Sequence, residues 1–386
     1  MTAAEVSEEK AVPRRAAVTT LGCRTNQYDS SAIEDFLREA GFTTVPFSES
    51  ADVYVINTCT VTSRTDYQSR QLIRRAKRKS PDSIVIATGC YAQTSPDEVS
   101  NLNGVDYVLG NPEKAMVVEC IRKGRPAYGP VIIVGAPERG TPLSLRARGP
   151  YSRTRVNLKV QDGCNKACSY CIIPRARGTS KSVPLNSVIK EAEGFIEKGF
   201  KEIVVTGIHL GAYGRDLVPA ITIVDLLREI EKRNYPCRFR LSSLDPDEVT
   251  DELIGVLKGS RTVCNHLHLA LQSGDDRVLK GMKRPYTSGY FAGRAVKLSE
   301  EVPGISIGAD VIAGFPGEGE REFENTLNLI KELPLAYLHV FPYSRREGTA
   351  ACAYPGQLNR GVKKGRAKML MEIDREKREG FYRVFL

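Results

Sequence analysis

Cys164, Cys168 and Cys171 stand in a C-x3-C-x2-C run, Gly163-Cys164-Asn165-Lys166-Ala167-Cys168-Ser169-Tyr170-Cys171, directly after the alternation Val156-Asn157-Leu158-Lys159-Val160. This puts three thiolates on a loop leaving a strand, one short of the four that close an iron–sulfur cluster or a structural zinc site. A cubane held by three thiolates keeps one iron with an open coordination position, where a small molecule can bind and be reduced. Zinc fits less well, because it takes C-x2-C pairs and four ligands, and no second pair stands near the run. A disulfide framework fits least. Residues 1–20 lack the apolar core of an export signal, and 386 residues bury enough surface without cross-links.

The elements that position these thiolates can be read from periodicity. From Arg15 to about Val134, short β-branched runs alternate with helical patterns. Strands are predicted at Ala16–Leu21, Val53–Asn57, Ile84–Thr88 and Val105–Leu109, and helices near Gln27–Ala40, Val61–Lys79, Pro96–Leu102 and Pro112–Lys123. Such alternation implies a parallel sheet covered by helices on both faces. Three more cysteines follow these strands at one point: Leu21-Gly22-Cys23, Asn57-Thr58-Cys59 and Thr88-Gly89-Cys90. The carboxyl ends of the strands in an open parallel sheet share one edge, so Cys23, Cys59 and Cys90 are expected to converge there. Core cysteines placed by chance would lie inside the strands, whereas these sit at strand exits beside glycine or threonine. The set reads as a second three-thiolate centre, again with one iron left open.

A second series follows residues 135–152, a Pro/Gly/Arg-rich stretch read as a linker. Strands fit Val156–Val160, Ile203–Thr206, Arg238–Ser242, His266–Leu271, Ile305–Ile312 and Tyr337–Phe341, with helices between them near Ser187–Lys198, Thr222–Arg233, Asp247–Leu257, Ser288–Ser299 and Arg321–Leu333. The expected fold class is α/β: a parallel-sheet domain over 15–134, then a partial (β/α)6 barrel over 153–386 that ends in a basic helix. Residues 1–14 are expected to be a disordered leader.

The loops at the carboxyl face of that barrel carry the candidate cofactor contacts. Glycine lets backbone approach a ligand closely. This singles out Gly207 and His209 after the second strand, and Asp310, Gly314 and Glu318 in Gly308-Ala309-Asp310-Val311-Ile312-Ala313-Gly314-Phe315-Pro316-Gly317-Glu318. Ser242 and Ser243 after the third strand, and Gln272 and Ser273 after the fourth, could bind a ribose or a carboxylate; hydrogen bonding to turn backbone suits the serines equally well. Neither glycine stretch matches G-x-G-x-x-G with a downstream acid, which argues against a nicotinamide cofactor. His266 and His268 alternate with apolar residues and should share one barrel-interior face. No paired carboxylates, Ser/His/Asp set or Walker loop stands out.

Composition bounds the partners. The chain is 41% hydrophobic with no apolar run near the ~20 residues a membrane span needs. Its ten cysteines, without an export signal, imply a reducing cytoplasm, and Cys120, Cys237, Cys264 and Cys352 read as small core hydrophobes. An excess of 56 basic over 46 acidic residues concentrates in 64–79, 146–155 and the C-terminal segment, which suits a nucleic-acid backbone.

The cysteine run, with an aromatic residue just before its last cysteine, resembles the radical S-adenosylmethionine (radical SAM) superfamily. Over about residues 15–385 the chain resembles one family within it, the methylthiotransferases. The likeness rests on Thr20-Leu21-Gly22-Cys23-Arg24-Thr25-Asn26-Gln27, Val55-Ile56-Asn57-Thr58-Cys59-Thr60-Val61-Thr62, Gly89-Cys90-Tyr91-Ala92, Leu271-Gln272-Ser273-Gly274 and Gly314-Phe315-Pro316-Gly317-Glu318. The resemblance implies that Cys164, Cys168 and Cys171 hold the 4Fe–4S cluster that cleaves S-adenosylmethionine, and that Cys23, Cys59 and Cys90 hold an auxiliary 4Fe–4S cluster. It further implies replacement of an unactivated C–H bond by C–SCH3, with an external one-electron donor of flavodoxin or ferredoxin type and neither membrane nor DNA as partner.

Within the family, Ser69-Arg70-Gln71-Leu72-Ile73-Arg74-Arg75-Ala76, Leu338-His339-Val340-Phe341-Pro342-Tyr343-Ser344 and the stretch from Thr20 to Gln27 look most like the branch that acts on threonylcarbamoyladenosine in tRNA, at position 37, 3′ of the anticodon. The isopentenyladenosine and ribosomal-protein aspartate branches share the same clusters and stay open. So do an electron carrier and a zinc-bearing nucleic-acid module, from another class. The family ends in a small β-rich TRAM domain that helps grip substrate. The chain stops at Arg383-Val384-Phe385-Leu386, so that domain is expected to be absent and RNA binding to be weakened.

Overall fold

A computed structural model describes residues 14–137, 146–147 and 154–384. The expected disordered leader (all but Arg14) and most of the expected linker, 138–145 and 148–152, lie outside the described residues. The β-branched runs of the first half form β1 (Arg15–Thr20), β2 (Thr43–Thr44), β3 (Val53–Thr58), β4 (Ile84–Gly89), β5 (Tyr107–Leu109) and β6 (Val131–Ile133). They make one sheet in the order β2-β1-β3-β4-β5-β6. Every pairing in it is parallel, as the alternation with helices requires. The edge strands β2 and β6 have two and three residues, too few to carry a periodic signal. Thr62 caps the helix Ser63–Lys79 through a capping box with Thr65.

The second half supplies β7 (Val156–Lys159), the small antiparallel pair β8 (Gln161–Asp162) and β9 (Lys181–Ser182), then β10 (Glu202–Thr206), β11 (Arg238–Leu241), β12 (Ser243–Leu244), β13 (His266–Gln272), β14 (Ser306–Ala313) and β15 (Tyr337–Pro342). Two parallel stretches, β11-β10-β7 and β12-β13-β14-β15, join through the break at Ser242 and a parallel bridge between Phe239 and Val263. The result is an open barrel with β7 and β15 at its free edges. Leu158, Val205, Leu241, Leu269 and Ile307 are fully buried in its core. The C-terminal helix Arg360–Arg383 packs on β15 with Ala367, Leu370 and Ile373 turned inward.

The polar residues of β7 face the first domain rather than water. Asn157 bonds Gln27 at 3.2 Å, and Lys159 reaches Asp29 on the helix Arg24–Glu39 at 2.5 Å. Asp29 also takes Lys114 at 2.6 Å and Arg177 at 3.2 Å, while Arg177 forks onto Asp162 at 2.8 and 2.9 Å. Asp29, Lys114, Lys159 and Arg177 are all buried, so this cluster of three cations and two carboxylates sits at the junction of sheet and barrel with one positive charge in excess. Burial opposes ionisation of Asp29, yet Lys114, Lys159 and Arg177 together hold its carboxyl far below the usual range. A second tie joins Arg346, beyond β15, to Asp66 and to the Thr60 carbonyl at 3.1 Å.

Removing one partner of a buried ion cluster strands the others. Asp29→Asn is expected to cost about 3–5 kcal/mol in chemical denaturation at neutral pH. Because the folded carboxyl titrates below its unfolded value, the wild-type advantage is fully present above about pH 4 and lost as the pH falls further. A variant as stable as wild type at pH 7 would contradict this.

Candidate functional site

Cys23, Cys59 and Cys90 leave three adjacent strands, β1, β3 and β4, at one edge of the first sheet. Thr58 pairs with Gly89, so the next residue on each strand is a cysteine, one strand spacing of ~4.8 Å away. Cys23 immediately precedes the helix Arg24–Glu39, and Cys90 begins the helix Cys90–Thr94. Two glycines make the convergence possible. Gly22 has φ +94°, and a Cβ there would lie 2.6 Å from the Cys59 Sγ; Gly89 has φ +95°, and a Cβ there would lie 2.3 Å from the Thr58 carbonyl. Burial pushes the Cys59 thiol up to about 12, and the neighbouring Cys90 and Cys23 sulfurs add to the shift. The junction cluster lies beneath these sulfurs, where Arg177 feels the charge of Cys90 and Cys23 and Lys114 feels that of Cys90.

Cys164, Cys168 and Cys171 occupy the loop after β8 at the carboxyl end of the barrel. The loop is tied down by Ser169, whose N–H and hydroxyl donate to the Met282 and Gly281 carbonyls at 3.1 and 2.8 Å. Burial raises Cys171 to about 12, with Cys168 and Cys164 contributing. The other sulfurs have polar neighbours: Arg284 Nη1 donates to Cys168 Sγ at 3.1 Å, and the Lys166 N–H to Cys164 Sγ at 3.4 Å. All ten cysteines are free thiols. Both converging triplets fit a metal centre with three protein ligands.

A cavity of about 240 Å3 opens beside Cys171 of the second triplet and the residues that follow Cys59. Val61 and Thr62, just past Cys59, form one wall; Tyr170, Cys171 and Ile172 form another; Gln272, Asp310, Ile312 and Phe341 line the barrel side. Gln272 has φ +65°, a strained conformation that turns the chain at the end of β13. Burial works against a charged Asp310, but His268 at 2.8 Å and His339 at 3.5 Å hold its pKa at about 2. His266 and His268 both bond the Tyr337 hydroxyl inside the barrel, at 2.8 and 3.0 Å.

The remaining candidates lie outside the lining of this cavity. Gly207 packs against Gln161, whose amide oxygen accepts from the His209 N–H at 2.8 Å. His209 contacts Glu248 and Cys164: burial disfavours its charge, but Cys164 and Glu248 raise its pKa to about 9. Ser242 Oγ is buried with no partner among the described residues. Glu318 is spent internally, accepting from the Gly314 N–H at 3.0 Å and from Arg366 at 2.8 Å. Sequence reasoning missed Arg284, Lys166, Asp245 and Glu248 around the second triplet, and Asp29, Lys114 and Arg177 beneath the first. Only Lys166 carried a signal, by lying inside the cysteine run.

Residues 15–110 match the family described as "Uncharacterized protein family UPF0004", and residues 158–330 the "Radical SAM superfamily". A threonylcarbamoyladenosine tRNA methylthiotransferase MtaB from Bacillus subtilis is 44% identical over 92% of this chain and 79% of its own length. The protein of that name from Aquifex aeolicus is 40% identical over 95% and 90%. A tRNA-2-methylthio-N(6)-dimethylallyladenosine synthase from Moorella thermoacetica is 33% identical over 92% and 81%. Among solved structures, the radical S-adenosylmethionine methyltransferase TsrM from Kitasatospora setae shares the fold, with TM-score 0.66 and 18% identity over 88% of this chain and 77% of its own.

Alanine at Cys164, Cys168 and Cys171 together is expected to remove about half of the iron and sulfide taken up on anaerobic reconstitution, and alanine at Cys23, Cys59 and Cys90 the other half. Undiminished iron in either triple variant would separate those cysteines from metal.

Proposed function

We propose a definite reaction for this chain, which belongs to the radical SAM methylthiotransferase family: it puts a methylthio group on carbon 2 of N6-threonylcarbamoyladenosine in tRNA, 3′ of the anticodon. The observation that carries the reading is the cavity that has Val61 and Thr62, beside Cys59, on one wall and Cys171 on another. It opens onto Cys171 and onto the chain that follows Cys59, the place where a nucleotide base would have to sit to be served by both triplets. When bound, the two 4Fe–4S clusters and S-adenosylmethionine supply an electron, a carbon radical strong enough to break an unactivated C–H bond, and the sulfur.

The side chains around the cavity have simpler work. Val61, Ile172, Ile312 and Phe341 give it apolar walls against which a base can pack. Asp310, ionised, offers an acceptor for ribose hydroxyls or an exocyclic N–H, and the Gln272 amide offers both a donor and an acceptor. We assign Cys23, Cys59 and Cys90 to the auxiliary cluster and Cys164, Cys168 and Cys171 to the radical-generating one.

The tRNA backbone is placed along the helix Ser63–Lys79, where Arg64, Arg74, Arg75, Arg78 and Lys79 are exposed beside Tyr67. Arg70 and Lys77 of the same helix are used internally, on Glu98 and Asp106. The reaction belongs in a reducing cytoplasm, with a flavodoxin- or ferredoxin-type protein as electron source. No helix among the described residues is long and apolar enough to cross a membrane.

Mass spectrometry of nucleosides from tRNA carrying threonylcarbamoyladenosine, incubated with reconstituted protein, S-adenosylmethionine and reductant, is expected to show its 2-methylthio derivative. Methylthiolation of isopentenyladenosine alone would overturn the substrate assignment. Changing Arg74, Arg75 and Arg78 together to Gln is expected to weaken binding across all tRNAs and to lower the slope of log K against log salt by about 1 for each phosphate that is no longer neutralised. An unchanged slope would remove this helix from the interface.

A further inference from the structure

Arg284 is a buried cation that the sequence did not single out. Its side chain is 4% exposed, and each of its donor groups is committed. Nη1 points at the Cys168 sulfur, 3.1 Å away, Nη2 bonds an Asp245 oxygen, and Nε donates to the Tyr286 hydroxyl at 2.8 Å. Tyr286 is held in turn by the Ala270 carbonyl at the end of β13. Asp245 also takes Lys166, and its backbone N–H donates to Glu248 at 2.9 Å. The guanidinium therefore cannot rotate away from the sulfur without breaking a bracket built from three separate barrel segments.

A cation with an N–H aimed at a ligand sulfur stabilises the electron-rich form of the centre that the sulfur serves. Hydrogen bonds to sulfur, net charge and exposure set iron–sulfur potentials. An arginine keeps that charge at any accessible pH, and its planar fork keeps the direction. Asp245, which also binds Lys166, partly offsets the charge beside Cys168.

We propose that Arg284 is a positioning residue that fixes the Cys168 sulfur and raises the reduction potential of the metal centre at Cys164, Cys168 and Cys171, with Asp245 setting how much of its charge the centre feels. This rests on the reading that those three cysteines hold a redox-active cluster.

The test uses the full chain with Cys23, Cys59 and Cys90 changed to alanine, so that one centre reports, in a potentiometric titration followed by electron paramagnetic resonance. Arg284→Gln is expected to make reduction at least tenfold less favourable, about 59 mV for a one-electron couple. Arg284→Lys should recover part of the shift, and Asp245→Asn should move the potential the opposite way. An Arg284→Gln centre with full iron content and an unchanged potential overturns the proposal. If that variant fails to hold iron, Asp245→Asn decides: an upward shift supports the assignment, and no shift or a downward one overturns it. Absence of iron from the parent protein would instead count against the cluster reading itself.

Discussion

The junction between sheet and barrel is centred on one buried carboxylate. Asp29 faces Lys114 from its own domain and Lys159 and Arg177 from the barrel, all within 3.2 Å and all shielded from water. A net attraction in that setting requires tight geometry, because several kcal/mol of lost hydration per ion must be offset. The cost brings registry. Lys159 on β7 and Arg177 beyond the cysteine run must both reach the same carboxylate, which ties the barrel to the helix that follows Cys23. The excess positive charge of the cluster lies next to the Cys23 and Cys90 sulfurs.

Much of the architecture was legible because it rests on local periodicity. The six barrel strands, the sheet core β1, β3 and β4, and the convergence of cysteines at strand exits all follow from β-branched runs and the rule for parallel sheets. What escaped was set by tertiary contact. The alternation in β7 resembles a half-buried strand with Asn157 and Lys159 toward solvent, yet both meet the first domain. The proposed contact Glu318 sat in a glycine-rich stretch that invites a ligand, but Arg366 from a helix some fifty residues later occupies its carboxylate. Arg284 gave no warning, since one arginine before a proline has no spacing to betray it.

Charge counting fared similarly. The C-terminal segment reads as a third basic patch, but Arg366 is buried on Glu318 and Glu320, Lys377 caps the Lys331 and Leu333 carbonyls, and Arg378 pairs with Asp374. Lys364, Lys368, Arg375 and Arg383 stay exposed there, and on the helix Ser63–Lys79 the exposed share is larger, with a buried face made of Asp66, Ser69, Ile73 and Ala76. Net charge thus overstates how much of a surface is free to attract a polyanion, and only the fold separates cations in use from those available.

The order of the chain has a temporal consequence. All three sulfurs at the sheet edge are made within the first ninety residues, whereas Lys159 and Arg177 emerge from the ribosome much later. The first domain can therefore build its strands while Asp29 is still hydrated. Burial of that carboxylate must await translation of the cysteine run and the short helix beyond it, so closure of the two halves is a late event in the birth of the molecule.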